Sequence, residues 1–136
     1  MATEISPKPI TTEDVWHSGE GRTRPNDSEI RSFNLRAVAT RTLGLRNLHS
    51  HRADTAKAYT AKFGSCPAAL LQAFDSAHEY LAGLPLIWWH NGTTKGSLTH
   101  IDTTGRGMFQ VASKAVPEIK SHMDVVHGIV EGMREE

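Results

Sequence analysis

The chain has 136 residues, of which 38% are hydrophobic and 22% charged, with 15 Lys and Arg against 15 Asp and Glu. That length builds the core of one ordinary domain, and zero net charge excludes both a uniformly basic nucleic-acid coat and an acidic disordered tail. A lone cysteine, Cys66, excludes an internal disulfide framework and any multi-cysteine zinc or iron–sulfur site, and no apolar run approaches the roughly 20 residues of a membrane span.

The opening MATEISPKPI holds no apolar stretch of the secretory kind, so a cytoplasmic protein without membrane contact is expected. Residues 1–27 read as an extended arm. They hold Pro7, Pro9, Gly19, Gly21 and Pro25 among many Ser, Thr and acidic residues, with no apolar period. Ile5, Ile10, Val15 and Trp16 are its only anchors, and Trp16 is a candidate interface residue. Residues 28–136 read as a single helical domain.

Asn26 followed by Glu29 fits a capping box, with Asp27 and Ser28 as alternative caps. A first helix follows over residues 29–43, and Gly44 is expected to break or kink it. A second helix spans about residues 45–63, with Leu45, Leu48, Arg52, Ala56, Tyr59 and Phe63 on one face. Gly64 stands where a left-handed C-cap belongs. Ser65 and Pro67 suit the start of a third helix over about residues 66–81, whose face is Leu70, Leu71, Phe74, Ala77, His78 and Leu81. Gly83 and Pro85 stop it.

Leu86-Ile87-Trp88-Trp89-His90 is β-prone, Asn91-Gly92 and Lys95-Gly96 are turn signals, and residues 97–101 can return, so a β-hairpin is expected here. In a strand the adjacent Trp88 and Trp89 face opposite sides. One of them then becomes an interface anchor or a base-stacking platform. Residues 102–107 read as loop, and residues 108–115 as a short helix. Pro117 opens a last helix with Ile119, Met123, Val126, Val130 and Met133 as its buried stripe and Gly128 and Gly132 as a thin face. The fold class expected is mainly α: a compact bundle of four to five helices with one β-hairpin and an extended N-terminal arm.

Charge is distributed unevenly. Residues 1–30 are net −3, whereas residues 31–63 carry Arg31, Arg36, Arg41, Arg46, Arg52, Lys57 and Lys62 against Asp54 alone, net +6. Residues 64–104 and 105–136 are net −2 and −1. Arginine matches phosphate oxygens bidentately, so these seven residues are the candidate nucleic-acid contacts. Against that, a five-residue step advances a helix by about 500°, so successive cations fall on different faces. Plain solvation, or pairing with an acidic partner such as the arm, accounts for them equally simply.

The eight histidines lack metal spacing. His49 and His51 lie about 200° apart on a helix, His122 and His127 are five apart rather than four, and no H-E-x-x-H occurs. His90, His100 and Asp102, with His78 or Glu79, form the best acid–base or metal candidate across the expected hairpin. Satisfied histidines are the simpler account. Cys66 sits at a helix start, where a thiol's pKa can fall, though a structural cysteine is commoner. Gly105-Arg106-Gly107 after Thr103-Thr104 lacks phosphate-loop spacing. Leu84-Pro85-Leu86-Ile87, with Asn91-Gly92 shortly after, resembles a short motif in the small helical subunits of type III CRISPR effector complexes. The likeness covers that stretch alone, and residues 93–107 depart from the helix expected there.

The expected function is a non-enzymatic subunit of a larger assembly, oligomeric and free of cofactors. Its basic helical pair contacts nucleic acid or another polyanion. The arm and Trp88-Trp89 contact other protein subunits. An inhibitor or adaptor that binds an acidic protein partner is the alternative. A small His-dependent enzyme, with or without a metal, comes third.

Overall fold

In the computed structural model the residues described are 7–15, 24–93, 101–120 and 122. Their regular structure is entirely helical: α1 (Thr12–Val15), α2 (Asp27–Phe63), α3 (Ala68–Ala82), α4 (Leu86–Thr93), α5 (Gly105–Ala115) and α6 (Pro117–Lys120). No strand occurs among the described residues, so the fold is all-helical and the expected β-hairpin is corrected.

The capping box opens α2. The Glu29 backbone N–H donates to Asn26 Oδ1 at 2.8 Å, and Glu29 Oε1 accepts from the Asn26 N–H at 3.2 Å. These two bonds satisfy donors that a helix start leaves without intrahelical partners. The helix then runs 37 residues through Gly44, where a break was expected. An interior glycine costs only about 1 kcal/mol relative to alanine, too little to stop a helix held by packing on both sides of it. Gly44 is buried, as are Leu45 and Leu48 after it.

Gly64 closes α2 as read from the sequence: its φ is +91° and its N–H donates to Thr60 O at 2.7 Å. Pro67 then starts α3, its carbonyl accepting from Leu70 N at 3.2 Å. Leu70, Phe74, Ala77 and Leu81 are buried on α3, and His78 on the same stripe is exposed.

The run after Pro85 is α4 rather than a strand. Proline fixes a backbone angle suited to a first helical turn, and the Pro85 carbonyl accepts from Trp88 N at 3.0 Å. Burial follows helical spacing: Leu86 and Trp89, three apart, are fully inside, and Ile87 and Trp88 are half-buried. Burial of that stripe outweighs the β preference of Ile and Trp, which depends strongly on context. Asn91-Gly92 is therefore the end of a helix and not a hairpin turn. The Gly92 carbonyl accepts from Ile101 N at 2.8 Å, and a Cβ on Gly92 would overlap the Ile101 side chain.

The contacts group into two compact units, one of Met1–Leu43 with Ala82–Ile101, the other of Gly44–Leu81 with Asp102–Glu136. The first unit buries Ile10, Ala37, Ala82, Leu86, Trp89 and Ile101. Part of the expected arm is tied down in it. Asn34 Oδ1 accepts from Ile10 N at 2.8 Å, Asn34 Nδ2 donates to Ile10 O at 3.2 Å, and Lys8 O accepts from Leu86 N at 2.9 Å. The second unit buries Leu45, Leu48, Leu70, Phe74, Leu81, Met108, Phe109 and Ile119. Phe74 and Phe109 stack with centroids 4.5 Å apart, and His51 meets Phe74 edge-on at 5.3 Å. In that unit α5 begins three residues earlier than read from the sequence, because Thr104 caps it: Thr104 Oγ1 accepts from Gly107 N at 3.0 Å. The stripe expected beyond Ile119 lies outside the described residues. No described helix is long and apolar enough to cross a membrane.

Candidate polyanion interface

The seven cations read from the sequence all lie on α2, one helix rather than a pair, and they divide by what they touch. Arg41 is half-buried in the first unit, where its Nη2 donates to the Ala82 carbonyl at 3.2 Å. Ala82 ends α3, so the guanidinium sits at a helix C-terminus, where carbonyls lack partners and the dipole favours a cation. Arg52 is half-buried in the second unit and pairs with Asp75 of α3, Nε to Oδ1 at 3.0 Å. These two arginines hold the fold.

The other five are exposed: Arg31 and Arg36 in the first unit, Arg46, Lys57 and Lys62 in the second. Among the described residues, Arg31, Arg36, Arg46 and Lys57 form no ion pair or hydrogen bond through their side chains. Lys62 rests its ammonium 5.7 Å from the Phe63 ring centroid. Arg46 and Lys57 are separated by about three helical turns and share one side of α2, whereas Lys62 lies about 140° round from Lys57. Arg31 and Arg36 are likewise about 140° apart. In neither unit do the exposed cations of α2 form a single line.

No family model, curated protein or solved structure matches this chain. The short likeness at residues 84–92 therefore stands alone.

The remaining candidates fare differently. Trp89 is fully buried, and its ring meets Trp88 at right angles with centroids 4.8 Å apart. Adjacent residues on a helix are about 100° apart, so the expected split into one inward and one outward tryptophan does not arise. Trp89 is a core residue, Trp88 is half-buried, and Trp16 lies outside the described residues. His90 packs on Phe33 with ring centroids 4.6 Å apart. Asp102 Oδ1 accepts from Thr104 N at 3.0 Å, and His100 lies outside the described residues. No group of three or more metal-ligating side chains occurs among the described residues.

The start of α5, around Gly105-Arg106-Gly107, is capped in part by the chain's own side-chain oxygens. Thr104 Oγ1 takes the Gly107 N–H and Asp102 Oδ1 the Thr104 N–H, two of the donors at that helix start. Burial pushes the Cys66 thiol up, with Arg52 pulling the other way, so its helix-start position does not activate it.

Sequence reasoning missed the exposed apolar residues Leu35, Val38 and Leu43 of α2, and it placed Phe63 on the inward face, whereas Phe63 is 59% exposed. Within the first unit Leu35 and Leu43 lie about 160° and 120° from the buried Ala37 round the helix and Val38 about 100°, so spacing from Ala37 carries part of that signal.

Proposed function

We propose that this protein is a non-enzymatic subunit of a larger assembly and that the exposed cations of α2 contact nucleic acid or a comparable polyanion. One observation carries the reading. Arg31, Arg36, Arg46 and Lys57 are solvent-exposed and form no ion pair with a described acid, while Arg41 and Arg52 already serve the fold. Cations kept for solubility alone are usually interspersed with acids, yet α2 carries no Asp or Glu between Glu29 and Asp54. The contact would be to backbone phosphates and independent of sequence, because arginine reads phosphate bidentately and lysine as a point charge. Protein–protein contacts would complete the assembly, and the unpaired Cys66 suits the cytoplasm.

Fluorescence anisotropy with a random-sequence single strand and a duplex, at two salt concentrations, tests this. The expected result is binding in or tighter than the usual non-specific range, weakening steeply with salt. No binding tighter than about 10⁻⁴ M at low salt would overturn it.

A further inference from the structure

Three apolar side chains stand in solvent on the first-unit half of α2: Leu35 at 72% exposure, Leu43 at 47% and Val38 at 44%. Single exposed apolar side chains are ordinary on a protein surface. These three fall within one arc of about 140°, with the exposed Ala39 and Thr42 between them. The opposite side of this half-helix is already engaged. Ala37 is fully buried, Asn34 is bonded to Ile10, Phe33 packs on His90 and Arg41 caps α3. The helix therefore cannot hide the three by turning.

Arg31 and Arg36 are the exposed charged residues of this half-helix nearest the patch, the acids Asp27 and Glu29 lying farther toward the start of α2. Arg31 lies about 40° from Leu35 round the helix and Arg36 about 20° from Leu43. No acid occurs on α2 between Glu29 and Asp54. We propose that this face docks an acidic amphipathic segment of a partner protein. Its apolar side chains, spaced three and four apart, would cover Val38, Leu35 and Leu43, and its carboxylates would reach Arg31 and Arg36.

Charge selects that occupant. A second copy packed patch to patch would bring two more arginines against the first two, with acids only at the far start of α2, Asp27 and Glu29. A phosphate backbone would satisfy the arginines and leave the three apolar side chains wet. Only an acidic amphipathic partner answers both features. The inference goes beyond the polyanion reading, since it concerns a protein contact that needs no nucleic acid.

The test uses the full chain and fluorescein-labelled helical peptides about five turns long. One has leucine at i, i+3, i+4 and i+7 with glutamate elsewhere, a second is its scrambled form, and a third has lysine in place of glutamate. Anisotropy should show the acidic amphipathic peptide binding at least about tenfold tighter than either control. The double variant Leu35→Ser with Val38→Ser should weaken it by about tenfold or more and leave both the thermal melt and single-strand DNA affinity unchanged. Equal binding of the scrambled peptide, or no peptide binding at all, overturns the inference. So does a double variant that binds the peptide like the parent, one that loses DNA affinity in step with the peptide, or a light-scattering dimer that the variant dissolves. Peptide binding that behaves as expected in a protein with no DNA affinity upholds this inference while defeating the polyanion reading.

Discussion

Arg52 and Arg46 illustrate how little the residue type says by itself. The Arg52 side chain is 32% exposed and its partner Asp75 62% exposed, so their pair contributes about 0.2–1 kcal/mol, as partly solvated ion pairs do. Arg46, six positions earlier, forms no such pair with a described residue. Spacing on the helix put Arg52 on the inward face in the sequence, and that part was legible. The partners of Arg41 and Arg52 were not, because each belongs to α3, distant in sequence. The tryptophans give the complementary lesson. Trp89 is fully buried and Trp88 half-buried, so their truncations should differ widely. Trp89→Ala is expected to cost about 3–5 kcal/mol, enough to unfold the first unit, and Trp88→Ala much less. Urea denaturation followed by circular dichroism measures both. Equal costs would contradict the helical phase of α4.

At the scale of elements, local capping chemistry was readable and tertiary choice was not. Asn26, Glu29 and Gly64 act at the ends of α2 as their residue types demand, since each needs only its own neighbours in the chain. Leu86-Ile87-Trp88-Trp89 was ambiguous because a short apolar run suits a strand or a buried helix, and what decides is the surface it meets. Gly44 misled for the same reason: its cost is small beside the burial on both sides of it. Gly105 shows an element held by close approach. A Cβ there would lie 2.6 Å from the Asn47 carbonyl oxygen of α2, and the neighbouring Asn47 Nδ2 donates to Thr103 O at 2.8 Å. Gly105→Ala should push α5 away from α2 within the second unit and cost about 1–3 kcal/mol. A thermal melt unchanged from the parent would show that this contact yields freely.

On the scale of the whole molecule, formal neutrality conceals a cationic helix, and that concentration of charge was legible in the sequence as arithmetic. The +6 over residues 31–63 marked the segment. Which cations are exposed and which are bonded within the fold required the structure, because Arg41 and Arg52 are half-buried and bonded to α3. Exposed charges act through the solvent and are screened beyond about 8 Å at physiological ionic strength, so the polyanion account is above all a statement about salt. The most direct measurement is the slope of log affinity against log salt for a random-sequence duplex, taken for the parent, Arg46→Gln and Arg52→Gln. Arg46→Gln should reduce the slope by about one and leave stability within about 0.5 kcal/mol. Arg52→Gln should lower stability by up to about 1 kcal/mol and leave the slope unchanged. A slope that falls equally in both variants, or in neither, would contradict the division of α2 into cations bonded within the fold and cations proposed to contact a polyanion.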